Sequence, residues 1–252
     1  MASGGTPGAV IELTGIILAA GLGTRLRPLT DQCPKCLLEV GGQSLLTRQL
    51  HQLSRAGITR AVVVTGYLAE QVEAALQAVP PPLSVRLMPN PEYARTGNCM
   101  SVLAARPAVE TSGIVLCDGD LLLRGDALTR LATESASAAL LLDTGTALGE
   151  EAMKATLDPK GNVRRLSKQL LPAECAGESI GLQKVSGPAL PIFWATLDAM
   201  REAGDTQGYY EDAFQRMIQA GVTFRTVPIG HQEWTEIDDL ADLEDARARF
   251  GD

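Results

Sequence analysis

The chain holds 252 residues, 45% hydrophobic and 21% charged, with 25 Gly and 14 Pro; this supports one large or two small packed cores and excludes disordered, collagen-like and coiled-coil designs. Its 22 basic against 30 acidic residues give a formal net charge of −8 with no basic stripe, which argues against a nucleic-acid partner and leaves anionic small molecules open. No apolar run nears the roughly 20 residues that span a bilayer, and Met1–Glu12 lacks the basic start and apolar core of a secretion signal, so the expectation is a cytoplasmic protein with no membrane insertion.

Short apolar runs rich in β-branched residues alternate with helical patterns. Thr14–Ala19 is a predicted strand that feeds a glycine-rich turn. Leu45, Leu46, Leu50 and Leu53 fall at helical spacing across Ser44–Ala56. Ala61–Thr65 is a second buried strand, and the helix predicted over Leu68–Val79 stops at Pro80–Pro82. Ser84–Met88 makes a third strand, Met100–Arg106 a helix, and Ile114–Cys117 a fourth strand ending in Asp118-Gly119-Asp120. Strands alternating with helices imply crossover connections and a mostly parallel sheet.

After about Ser137 the pattern changes. Ala138–Leu142, Lys154–Asp158, Val163–Leu166 and Ser179–Lys184 are predicted strands, with a hairpin-type turn at Pro159-Lys160-Gly161-Asn162. Helices follow at Pro188–Ala203 and Tyr210–Ala220, then a strand at Thr223–Pro228 and a closing helix at Leu240–Phe250. No long linker, internal repeat or low-complexity tract interrupts the chain. The expected fold is therefore one α/β domain over residues 1–252. It has a Rossmann-like, mixed but mostly parallel sheet flanked by helices over about 14–136, and a mixed-sheet half over about 137–252.

The densest chemistry follows the first strand, in Leu18-Ala19-Ala20-Gly21-Leu22-Gly23-Thr24-Arg25-Leu26-Arg27-Pro28, continuing to Pro34-Lys35. Small residues let the backbone approach a ligand, and consecutive amides wrap an anion. Arg25 and Lys35 add full charges suited to a triphosphate. A dinucleotide fingerprint fails because Leu26 stands where a third glycine belongs, and a Walker loop fails for want of Gly-Lys-Ser/Thr. The plain alternative is a glycine-rich turn with surface cations. Five cysteines, an odd number, read as reduced thiols. Only two histidines, His51 and His231, are present; a zinc site or a Ser-His-Asp triad is disfavoured, and a metal would need carboxylates.

With Pro34-Lys35 included, the stretch resembles the signature of nucleotidyltransferases that couple an NTP to a phosphorylated acceptor, and the resemblance runs from Gly15 to about Arg247. Pro34-Lys35-Cys36-Leu37-Leu38 looks like the cytidylyltransferase branch. Asn90-Pro91-Glu92-Tyr93 with Thr96-Gly97-Asn98 and Ser101 resembles phosphocholine cytidylyltransferases. Gly177-Glu178-Ser179-Ile180-Gly181, Tyr210-Glu211-Asp212-Ala213-Phe214 and Trp234-x-Glu236-Ile237-Asp238 look most like 2-aminoethylphosphonate cytidylyltransferases.

The resemblance implies CTP and a small phosphonate or phosphate acceptor as partners. It places Leu18, Ala20 and Gly21, with Gly23 and Thr24 of the same loop, on the nucleotide. Asn90 would lie near the base, and Gly97, Asn98 and Ser101 near the sugar or the sheet edge beneath it. Turn chemistry beside Pro91 and Gly97 is the alternative for Asn90 and Asn98. Arg25 would grip the departing pyrophosphate and Lys35 the phosphates at the reacting centre. Lys154 and Lys168 would hold the acceptor phosphate, Lys154 as a catalytic residue; a solvated surface position is the alternative for each.

Asp120 and Asp238 are the metal candidates, suited to Mg²⁺, with Asp118 as a supporting partner and Asp239 as a helix cap. Lys168, Glu178, Tyr210, Glu211 and Asp212 form the candidate acceptor group. Carboxylates suit a primary amine, whereas a quaternary ammonium prefers aromatic faces. Glu150-Glu151-Ala152-Met153 stands where phosphocholine enzymes carry a tryptophan, which tilts the acceptor toward a primary amine, 2-aminoethylphosphonate being the best match. A phosphocholine, sugar-1-phosphate or inositol-1-phosphate enzyme is the alternative, as is a nucleotide-binding regulator on the same fold. A homodimer is left open.

Overall fold

The computed structural model describes residues 11–251; Met1–Glu12, the stretch in which no secretion signal is expected, falls mostly outside them. The first half winds β1 (Leu13–Ala19), the hairpin β2 (Glu39–Val40) and β3 (Gln43–Ser44), α1 (Leu45–Arg55), β4 (Arg60–Thr65), α2 (Ala69–Ala78), β5 (Ser84–Pro89), α3 (Asn98–Ala105), β6 (Gly113–Asp118), β7 (Leu121–Leu123) and α4 (Ala127–Thr133). β6, β1, β4 and β5 lie side by side and parallel. Helices cover both faces, so β1 is largely apolar: Ile16 packs into one core and Ile17 into the other. α1 forms where the apolar spacing predicts it, capped by the Ser44 hydroxyl, which accepts from the Thr47 amide.

The second half supplies β8 (Ala138–Asp143), β9 (Lys154–Leu157), β10 (Val163–Ser167), β11 (Gly177–Ser186), α5 (Ala189–Glu202), α6 (Tyr210–Gln219), β12 (Arg225–Ile229), β13 (Trp234–Glu236) and α7 (Leu240–Phe250). β11 joins the halves into one nine-stranded sheet by pairing antiparallel with β6 over Leu182–Ser186. At its other end, Gly177 and Glu178 pair with β9 instead. The change of neighbour falls at a bulge, where the register against β8 jumps between Ser179 and Gln183. Gly181 sits in this bulge at φ 71°, and a Cβ there would lie 2.5 Å from Asp118 Oδ2. The sheet opens at this point, beside the carboxyl ends of β1 and β6.

The expected mostly parallel α/β fold is found, with the elements in the predicted order. α3 starts at Asn98, two residues before its predicted start, and β11 extends the predicted Ser179–Lys184 at both ends. The short ladders β2–β3 and β7–β13, and α4, were not anticipated. Among the described residues no helix is long and apolar enough to cross a membrane.

Candidate active site

The loop after β1 and the turn after β6 lie together because Gly119 permits it. Its amide donates to the Leu18 carbonyl at 3.1 Å, and a Cβ on Gly119 would stand 2.3 Å from that oxygen. Asp118 and Asp120 flank the contact. Two adjoining cavities, about 290 and 410 Å³, share Leu18, Gly21, Arg25, Gly119, Asp120 and Asp238 as walls. The smaller adds Gly23, Thr24 and Lys35. The larger continues past Ala20, Gly97, Asn98 and Ser101 to Lys168, Glu178 and Glu211.

Between the cavities, carboxylate oxygens of Asp120, Glu236 and Asp238 lie within 4.8 Å of one another. The β7–β13 ladder brings them there. Glu236 pairs with Leu121, and the Ile237 amide donates to the Asp120 carbonyl at 3.2 Å. Lys35 Nζ donates to Asp120 Oδ2 at 2.6 Å and to Asp238 Oδ1 at 2.9 Å, and Arg25 reaches the same Asp238 oxygen at 2.8 Å. Burial lowers the pKa of Lys35, but Asp120 and Asp238 outweigh it and hold the group above its ordinary value, as an ammonium. Burial alone would raise Asp238; Lys35 and Arg25 prevail and hold it below the usual carboxylate range.

Glu236 goes the other way. Confinement among protein atoms, then Asp120 and Asp238, push it up to about 8; the residue keeps an open solvent face, which limits the burial contribution and leaves its two acidic neighbours as the firmer cause. Asp120 Oδ1 is buried and has no hydrogen-bond partner among the described residues. Three converging carboxylates, one with an unsatisfied oxygen, fit a hard divalent cation.

The far wall of the larger cavity is acidic. Glu211 is 4% exposed, and its Oε2 has no hydrogen-bond partner among the described residues. Burial pushes its carboxyl up to about 7. Burial and then Asp143 raise Glu178. Burial, then Glu211, Asp120 and Glu236, raise Asp118 well above the carboxylate range. The Tyr210 hydroxyl stands 3.2 Å from Asp118 Oδ2 and 3.0 Å from Gln183 Oε1. A phenol has one proton to donate, so a protonated Asp118 lets both bonds form. Lys168 lies 3.2 Å from Glu151 and 4.6 Å from the centre of the Tyr209 ring. Cys36, by contrast, is a buried thiol pushed up to about 12 by burial, and all five cysteines are free.

Four sequence expectations require correction. Asn90 lines neither cavity: its Nδ2 donates to Ser101 Oγ at 3.0 Å and its Oδ1 accepts from the Glu92 amide at 3.0 Å, so it shapes the turn beneath Ser101. Tyr210 lies wholly buried under the cavity floor. Asp212 accepts from the Tyr209 amide at 2.8 Å, closing the first turn of α6. Lys154, expected to be catalytic, points its ammonium at the carbonyls of Gly149, Glu150 and Ala152. Polar residues are drawn by orphan backbone groups as readily as by ligands.

The other candidates line one cavity or both. Asn98 also accepts from the Tyr210 amide at 2.9 Å, joining the two sides. Sequence reasoning missed Glu236, Tyr209, Tyr93 and Met153 as wall residues. Glu236 carried a usable signal: two positions before Asp238 on an extended segment, it shares that residue's side.

Residues 15–172 match the family model described as the MobA-like NTP transferase domain. The chain is 30% identical to the 2-aminoethylphosphonate cytidylyltransferase of Lancefieldella rimae, over 92% of its own length and 91% of that protein. It is 27% identical to the CMP-5'-(3-aminopropyl)phosphonate synthase of Streptomyces rubellomurinus, over 97% of its own length and 40% of the synthase. With the choline-phosphate cytidylyltransferase of Streptococcus pneumoniae it shares 36% identity over 43% of its length and 46% of that protein. The solved CTP:phosphocholine cytidylyltransferase from Streptococcus pneumoniae has the same fold, with a TM-score of 0.77 at 23% identity over 95% of this chain and 100% of that one.

Proposed function

The chain belongs to the MobA-like NTP transferase family and is a nucleotidyltransferase of the cytidylyltransferase type, and we propose that it transfers CMP from CTP to an aminoalkylphosphonate, 2-aminoethylphosphonate fitting best. The observation that carries the acceptor is Glu211, a buried carboxylate on the cavity wall with one oxygen left unpartnered. A primary ammonium offers three N–H donors to such an oxygen; a quaternary ammonium offers none. Glu178 lies on the same wall, and Lys168 supplies a cation for the acceptor's anionic end.

In this proposal the nucleotide lies along the loop after β1, with Leu18, Ala20 and Gly21 against base and ribose and Gly97, Asn98 and Ser101 beside the sugar. Gly23, Thr24, Arg25 and Lys35, around the smaller cavity, take the β- and γ-phosphates. A phosphonate oxygen attacks the α-phosphorus in line. The new P–O bond forms as the bond to the bridging oxygen breaks, and pyrophosphate leaves with that oxygen's electron pair. The nucleophile is already an anion, so no base is required, and the chain's work is positioning and charge stabilisation. Asp120, Glu236 and Asp238 would hold Mg²⁺, which when bound supplies positive charge to the phosphate oxygens. Arg25 and Lys35 stabilise the charge that develops on the leaving group.

Tyr93 and Tyr209 also line the larger cavity; their ring faces are what favours phosphocholine as a second reading. Pyrophosphate release, with each of four NTPs crossed against 2-aminoethylphosphonate, phosphocholine, phosphoethanolamine, inositol 1-phosphate and glucose 1-phosphate, tests both. The expected result is release with CTP and the aminophosphonate that depends on Mg²⁺. Release only with phosphocholine or a sugar phosphate would overturn the acceptor assignment; CTP binding with no release from any pair would favour a regulator.

A further inference from the structure

Lysine is among the residues least often buried, yet Lys154 is 2% exposed, with its ammonium behind the larger cavity rather than in it. Nζ donates to the carbonyls of Gly149 at 2.9 Å, Glu150 at 3.1 Å and Ala152 at 3.1 Å. An ammonium has three donors, and all three are used. The segment therefore wraps the ammonium as a collar that skips the carbonyl of residue 151.

That skip has a consequence for the cavity. Glu151, Ala152 and Met153 all line it, and the segment that carries them has no helix or strand of its own. The Glu151 carboxylate reaches Lys168 Nζ at 3.2 Å, and Lys168 in turn lies over the Tyr209 ring. On the far side the Met153 carbonyl accepts from the Ser179 amide at 2.8 Å. Lys154 itself is anchored in β9, in register with Glu178 on β11 and Ser167 on β10. Without the ammonium the three carbonyls lose their shared donor: that of Ala152 would be left buried and unpaired, and those of the exposed Gly149 and Glu150 would be free to turn toward water, so the segment would lose the contact that holds it together.

We infer that Lys154 is a positioning residue for transfer, its ammonium collar holding residues 149–153 in the shape of one wall of the acceptor cavity. This rests on the reading of the larger cavity as the acceptor site. The collar itself does not depend on which acceptor is used.

The test uses the full chain with Lys154→Met, close in length but without donors, and Lys154→Arg, which keeps charged donors. Amide hydrogen exchange of the free enzyme reads the collar: in K154M, exchange in the 147–155 region should quicken about tenfold or more while β1 and residues 234–238 stay as in wild type. Kinetics read the wall: KM for the acceptor should rise about tenfold, with kcat and KM for CTP within about threefold, and K154R should recover part of the loss.

Wild-type exchange in K154M overturns the inference, as does a kcat loss of about a hundredfold with acceptor KM unchanged, which would place the ammonium on the reacting phosphate. A general loss of stability with both KM values unmoved also overturns it. Should K154M fail to fold, Lys154→Gln, with two N–H donors, carries the same measurements. If wild-type enzyme uses none of the amine-bearing acceptors, the acceptor reading fails while the exchange result still decides the collar.

Discussion

The two sides of the cavity are built by opposite means. The proposed nucleotide side is largely backbone: Leu18 to Arg25 run from the last residues of β1 into the loop beyond it, and a second turn closes on them through Gly119. The proposed acceptor side is side chains gathered from separate places, Glu151 before β9, Lys168 after β10, Glu178 on β11 and Glu211 on α6. A backbone-built wall presents the same amides whatever residues surround it, so it suits the part of the substrate that stays constant. A side-chain wall is changed one residue at a time, and it suits the part that sets specificity.

The largest expected effect ignores this division. Asp120→Ala removes a carboxylate that both cavities share, and kcat/KM should fall about a thousandfold with every acceptor tried. A loss restricted to amine-bearing acceptors would move Asp120 to the acceptor side and break the comparison. Glu211→Gln should be selective instead. Losing a buried charge-assisted bond costs about 1.5–3 kcal/mol, so kcat/KM for the aminophosphonate should drop roughly ten- to hundredfold with KM for CTP unchanged.

Glu211 also makes a pH prediction. Its carboxyl is raised from 4.5 to about 7, so between those values the folded chain holds a proton that the unfolded chain has released. Its contribution to stability is full below pH 4.5 and is lost as pH rises through about 7. Acceptor binding follows the opposite trend, because the ammonium needs the ionised form. The acceptor KM of wild type should fall as pH rises through 7, and E211Q should lack that step; a parallel profile in both proteins would remove Glu211 from the acceptor wall.

Smaller effects probe the backbone side. A methyl on Gly119 would stand 2.3 Å from the Leu18 carbonyl oxygen, so Gly119→Ala should cost about 1–3 kcal/mol of stability by urea denaturation and raise KM for CTP. Unchanged CTP affinity would show that the nucleotide does not lean on this turn. Asp239 caps α7 by accepting from the Ala241 and Asp242 amides at 2.8 and 3.0 Å. Asp239→Ala should cost only about 1 kcal/mol, with kinetic constants near wild type, as it lies just outside the acid cluster.

What could be read without coordinates was whatever acts over a few neighbouring residues. The glycine loop after β1, the helical spacing of Leu45, Leu46, Leu50 and Leu53, and the change of pattern near Ser137 are local, and each marks a real feature of the fold. Tertiary structure decided the rest. Leu121–Leu123 and Trp234–Glu236 are too short to show any period, and they become strands only by pairing with each other across a long stretch of chain; that pairing assembles Asp120, Glu236 and Asp238. Likewise Lys154, Asn90, Tyr210 and Asp212 carry the polar groups that ligands use, but their partners are backbone groups or buried side chains contributed by the fold. Residue type states what a side chain can bind, and only packing decides which of the available partners reaches it first.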